Sequence, residues 1–230
     1  MFPFFDPTFI LLIPAFILAL YAQSKVRSTF NRYSKLRATR RQTGEEVARA
    51  LLNMRGLGDV PVEKAQGMLS DHYDPRKRIL RLSEGVFDSD SVAALGVAAH
   101  ETGHALQHAD AYGPLMLRSN LVPVANIGSW VAFPLFFIGF FIGSHTGLLM
   151  MDIGIIFFAG AVFLTLLTLP VEFNASSRAL VLLREGGFLS EQELPHARAV
   201  LNAAAWTYVA AATMAVSQLV RLLILRNARN

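Results

Sequence analysis

"AAHETGHALQHAD", residues 98–110, places three of the chain's six histidines at intervals of four. On a helix, residues four apart share one face, so His100, His104 and His108 form a stripe with Glu101 beside its first member. Ser89 or Asp90 is expected to cap this helix, and Gly113 with Pro114 to end it. Within it, "HETGH" fits the pattern H-E-x-x-H. Two imidazoles on successive turns converge on one Zn2+ ion. The Glu next to the first reaches a water in the open coordination position, which zinc acidifies, and takes its proton for attack on a carbonyl. The same Glu can return that proton to a leaving amine. The motif follows "RILRL", residues 78–82, which suits a strand. A strand followed by the histidine helix is the context a zincin site needs.

The donor set is incomplete with two histidines. The chain has no cysteine, so disulfides, thiolate ligands and a cysteine nucleophile are excluded and a third ligand must be His, Asp or Glu. His108 lies one turn further on, where convergence on the same ion is difficult. The longer zincin pattern has its third His after a Gly-containing turn, and no such His follows here. An acid from another helix fits better. Glu172 stands out because it follows the third apolar segment and begins an expected helix, although acids favour helix N-termini for reasons unrelated to metal. Glu185 and Asp110 are the other candidates.

Working outward, the chain is 53% hydrophobic and 17% charged over 230 residues, with a mean hydropathy of +0.40. Soluble domains average about 25% charged residues. Four segments are apolar enough to cross a bilayer, which takes about 20 residues: 2–22, 121–143, 147–169 and, less cleanly because of Gln218 and Arg221, 203–225. The first has its basic residues after it rather than before, so it reads as a retained anchor and not a signal peptide, with Asp6 and Pro14 as blemishes. The second and third, joined by "SHT", form a hairpin. Asp152 sits in the third, near its outer end. Arg221 either snorkels to an interface or marks a segment lying partly in one.

The net charge of +4 is concentrated. Lys25, Arg27, Arg32, Lys35, Arg37, Arg40 and Arg41 form a cluster directly after the first apolar segment. That position favours a juxtamembrane role over nucleic-acid binding. By the positive-inside rule, residues 23–119 and 170–202 are expected in the cytoplasm, with the hairpin returning at Pro170. Thr43 with Glu46 is a capping box for the helix "GEEVARALLNM". "YDPRK" is a turn signal before "RILRL", so a small hairpin or sheet is expected there. "VEFNASSRALVLLREGG" reads as a helix stopped by glycines, and Ser190 with Glu193 as the start of another.

"SDHYDP", "LSEGVFDSDSVAALGVAAHETGHALQH" and "PVEFNASSRAL" together resemble the bacterial membrane-bound neutral zinc metallopeptidases of the YugP type, over nearly the whole chain. More distantly the chain is similar to HtpX-like and CaaX-prenyl-type membrane proteases. The resemblance implies that Glu172 completes the zinc site. The distant relatives carry an Asp four residues later, where this chain has Ser176. Ser176 or Asn174 is then expected to hydrogen-bond a zinc histidine instead.

The expectation is a mainly α, polytopic membrane protein, residues 1–230 as one domain, with a zincin-like (gluzincin-like) core and a small β-hairpin or sheet fused to about four membrane helices. It would be a zinc endopeptidase of the bacterial inner membrane opening to the cytoplasm, with His100, His104 and Glu172 as ligands and Glu101 as base. Its substrates would be peptides or membrane proteins, laid along an edge strand near 79–82. His72 and Tyr73 either line that edge or form a turn. His108 either stabilises an oxyanion or caps its helix. Arg178 either binds the oxyanion or pairs with an acid. No nucleic-acid partner is expected, and nothing in the sequence sets the oligomeric state. The alternative is a membrane scaffold with a structural zinc; the retained Glu101 argues against it, since a structural site needs no base.

Overall fold

A computed structural model describes residues 7–67, 70–142 and 144–229. Residues 2–6 of the first apolar segment, including Asp6, lie outside the described residues. The protein is mainly helical. A 3-10 turn (Pro7–Leu12) leads into α1 (Ile13–Tyr33), followed by α2 (Gly44–Met54), strands β1 (Val62–Ala65), β2 (His72–Asp74) and β3 (Ile79–Ser83), and a short α3 (Glu84–Phe87). Then come α4 (Val92–Ala109), α5 (Gly113–Ile142), α6 (His145–Glu185) and α7 (Leu194–Asn227). The chain divides into two compact units, one comprising residues 1–22, 116–170 and 207–230, the other residues 23–115 and 171–206.

The first unit is built from helix segments long and apolar enough to cross a membrane; α1 with its 3-10 turn, α5, α6 and α7 all meet that standard. Its core is Ala132, Phe136, Met151, Ile155, Phe158, Val162 and Leu222. Small residues let α5 and α6 approach closely. A Cβ on Gly154 would lie 2.7 Å from the carbonyl oxygen of Ala132, the close backbone contact typical of membrane helix pairs. The outer surface is apolar, with Trp130 86% and Ile156 69% exposed. Asp152 and Arg221 of these helices are both engaged. Arg226 donates to both oxygens of Asp152 at 2.7 and 2.9 Å, so Asp152 has a cation partner. Arg221 does not snorkel outward: it is buried, donates to Thr8 and stacks over the Phe9 ring.

In the second unit α4 is the central element. Its Ala- and Gly-rich first half is buried on nearly every side, the mark of a core helix. It packs on α2, α3, β2 and β3. The N-cap is Ser91, whose hydroxyl accepts from Ala94 N–H, rather than Ser89 or Asp90. Ser89 instead donates its hydroxyl to Ser91. Gly113 and Pro114 do not end α4, which closes at Ala109 with Ala111 at positive φ. They open α5, where a proline costs nothing because its missing N–H would be unpaired in the first turn. Likewise Pro170 does not break α6, which runs continuously from His145 to Glu185. Glu172 is therefore mid-helix, and a helix N-terminus does not explain it. Only the glycines at 186 and 187, the second at φ 60°, stop that helix.

The sheet has the order β1-β3-β2, with β1 parallel and β2 antiparallel to β3. "RILRL" is thus the central strand, paired on both sides, and offers no free edge. The free edges belong to β1 and β2. Thr43 forms the expected capping box with Glu46. Glu193 does more than start α7. One carboxylate oxygen accepts from the N–H and hydroxyl of Ser190, and the other from the N–H and hydroxyl of Thr39. It thereby ties the segment after α1 to the start of α7.

Two consequences can be measured. Burial alone would raise the Glu193 carboxyl, but the Ser190 and Thr39 donors hold it below its ordinary value of 4.5. A depressed native pKa contributes stability that is complete above the unfolded value and lost as pH falls through the native one. Glu193→Gln is expected to lower stability by about 1–3 kcal/mol at pH 7, with the gap to wild type closing as acid is added. A gap unchanged by pH in thermal unfolding would count against this. Second, a Cβ on Gly103 would lie 2.7 Å from Ala175 O, whereas one on Gly85 meets nothing within 4 Å. Gly103→Ala is expected to cost about 1–3 kcal/mol and Gly85→Ala far less, measured in the same unfolding experiment.

Candidate metal centre

Gly103 brings α4 and α6 together. Its bare backbone lies against the backbone of Ala175, one turn on from Glu172. The histidine face of α4 consequently meets the Glu172 side chain. His100 Nε2 is 3.3 Å and His104 Nε2 3.5 Å from Glu172 Oε2, and the two imidazoles meet edge to face. Donor atoms of all three residues lie within 4.8 Å of one another, so they could hold a metal ion. Two donors about 2.0–2.1 Å from a tetrahedral zinc are about 3.4 Å apart, and the observed separations from Glu172 match. His2Glu is also a donor set suited to zinc.

The site is buried. Glu172 is 3% exposed, and Glu101 and His104 are also buried. Burial by itself would push the Glu172 carboxyl up, but hydrogen bonds and charge from His100 and His104 hold it well below the carboxylate range. For His104, burial would favour the neutral ring; the Glu172 hydrogen bond and the charges of Glu101 and Glu172 outweigh it and raise its pKa. A cation bound there takes the neutral His104 ring and displaces its proton, so binding is expected to strengthen as pH rises.

Glu101 lies outside the donor set, yet its charge acts on His104. Its Oε2 accepts the Tyr73 N–H at 2.9 Å. Leu80, the β3 partner of Tyr73, donates its N–H to Pro61 on the β1 side. Tyr73 therefore turns its own backbone groups to the free edge of β2, and that edge runs beside Glu101. The Tyr73 hydroxyl bonds to His108 Nδ1 at 2.9 Å, so His108 is occupied by Tyr73. His72 is on the exposed side of β2, its ring against Ser70 O.

The other sequence candidates fall into two groups. Ser176 Oγ is 3.1 Å from His100 Nδ1, behind that ring. Among the described residues, Asn174 makes no hydrogen bond to a histidine. It accepts from Arg178 and from the buried Gln107, and Gln107 in turn faces His104 Nδ1 at 3.0 Å. Arg178 also pairs with Asp110, and Glu185 pairs with Arg55, so both alternative acids are engaged outside the histidine pair. Sequence reading missed Gln107. A signal existed: it lies three residues after His104 on the same buried face, where an amide needs polar partners. His196 stacks on Tyr33, and His145 belongs to the other unit.

Comparison with known proteins agrees with this chemistry. A family model described as "Putative neutral zinc metallopeptidase" matches residues 8–227. The chain is 49% identical over 215 residues, 94% of each chain, to the "Putative membrane protease YugP" of Bacillus subtilis (strain 168). No solved structure matches it. With a family model covering almost every residue, a relative identical at half its positions and a donor set of zinc type, the chain belongs to this neutral zinc metallopeptidase family of membrane proteases.

Proposed function

We propose that this protein is a zinc-dependent endopeptidase embedded in the bacterial plasma membrane, with its active site on the cytoplasmic face. The observation that carries the reading is the buried convergence of His100, His104 and Glu172 with Glu101 beside them. When bound, zinc supplies Lewis acidity toward a substrate carbonyl and toward water. Glu101 accepts the proton of the attacking water and passes it to the leaving amine. It suits that role because it is adjacent to a ligand yet outside the donor set, and the Tyr73 N–H is what it accepts from among the described residues. A structural zinc would have no use for a buried carboxylate placed there.

An extended peptide lies along the free edge of β2, where Tyr73 turns its carbonyl outward to accept a main-chain hydrogen bond while its N–H is held by Glu101. This replaces the β3 edge, which pairing with β1 and β2 consumes. Tyr73 holds that edge in place by binding α4 twice, through its N–H to Glu101 and its hydroxyl to His108. The bilayer supplies substrates as membrane proteins or as peptides concentrated at its surface. The basic residues between Lys25 and Arg41 orient the chain with residues 23–119 and 170–202 inside.

Glu101→Gln in the purified protein should keep zinc bound while cleavage of a peptide library falls by at least about 100-fold; cleavage that survives would sink the mechanism. Glu172→Ala should lose both zinc and activity, and full zinc occupancy in that variant removes Glu172 from the donor set. Orientation is tested by placing single cysteines in a chain that has none. A cysteine at Asp59 that reacts with an impermeant reagent from outside the cell reverses the topology.

A further inference from the structure

Gln107 is fully buried, and both ends of its amide are committed. Its nitrogen donates to Val171 O at 2.8 Å and to Asn174 Oδ1 at 2.9 Å. Its oxygen faces His104 Nδ1 at 3.0 Å. Hydrogen-bond bookkeeping leaves no freedom in this arrangement. A backbone carbonyl only accepts, so the group facing Val171 O must be the Gln107 NH2. Asn174 must present its oxygen, because Arg178 Nε donates to it at 2.8 Å and a guanidinium has no acceptor. The Gln107 oxygen is thereby forced toward His104. An amide oxygen only accepts, so His104 carries its hydrogen on Nδ1. The lone pair of the neutral ring is then on Nε2, the atom 3.5 Å from Glu172 Oε2.

We propose that Arg178, Asn174 and Gln107 form a one-way hydrogen-bond relay that fixes the tautomer of His104 and keeps its Nε2 available to zinc. The proposal rests on the metal reading above and makes Gln107 and Asn174 positioning residues. The relay also spans two helices. His104 and Gln107 lie three apart on α4, and Val171, Asn174 and Arg178 lie three and four apart on α6, so two facing stripes are joined. Orienting His104 and seating the helix that carries Glu172 are one event. His100 lacks such control, because its Nδ1 faces the Ser176 hydroxyl, which donates or accepts equally well.

The test uses the full-length protein in detergent, with zinc affinity from chelator competition. The 15N shifts of the His104 ring in the zinc-loaded protein report which nitrogen binds the metal. Asn174 contributes only its oxygen to the relay, so Asn174→Asp preserves it and Asn174→Leu breaks it. Gln107→Leu and Asn174→Leu are expected to weaken zinc binding ~10–100-fold, while Asn174→Asp stays near wild type with zinc on Nε2. Equal affinities for Asn174→Asp and Asn174→Leu would overturn the relay, as would a folded Gln107→Leu with wild-type affinity. If Gln107→Leu does not fold, the half-buried Asn174 pair decides alone. Wild-type protein that binds no zinc defeats the metal reading and the relay with it. Wild-type binding with indifferent variants defeats the relay only.

Discussion

The close approach of α4 and α6 at Gly103 and Ala175 is the constraint on which the site depends. Glu172 is far from the histidines in sequence, and the distance from its carboxylate to their rings is set by how near two helix backbones come. A side chain at Gly103 would occupy the space of Ala175 O. With none, the helices touch, and everything across that seam follows. Glu172 meets both imidazoles, Ser176 reaches His100, and Gln107 reaches Val171 and Asn174. Burying an unpaired carboxylate costs several kcal/mol. Here the two imidazoles outweigh the desolvation of the cleft and hold the Glu172 carboxyl well below its ordinary range.

Signals confined to one turn were legible in the sequence. The H-E-x-x-H spacing, the Thr43 capping box and the glycines after Glu185 depend on neighbours within four residues, and they hold their places in the structure. Signals read as stops were less reliable. Pro170 and the Gly113–Pro114 pair interrupt helices in water, where freed backbone groups are exposed. In apolar helices the flanking hydrogen bonds have no competitor, so α6 continues through Pro170. The strand order could not be read at all. "RILRL" is apolar enough for either an edge or a centre, and only β1 pairing in parallel decides it. Gln107 was overlooked for a related reason: its role exists only across the helix seam.

His108 shows why a helical stripe is not a ligand set. It lies eight residues from His100, about 12 Å along the axis, too far to share an ion with it. Its partner is instead Tyr73, whose N–H binds Glu101 seven residues earlier on the same helix. A strand of three residues has little pairing energy of its own, and β2 is bonded along only one side. Two bonds from one tyrosine to two turns of α4 fix where its free edge lies relative to the Glu101 carboxylate. The histidine stripe thus divides its labour. The first two rings turn their Nε2 atoms to Glu172, and the third holds the strand against which a peptide would lie. The distance from the β2 edge to the Glu101 carboxylate is then set by α4 itself, so on the proposed reading the base and the strand beside it would stay in register.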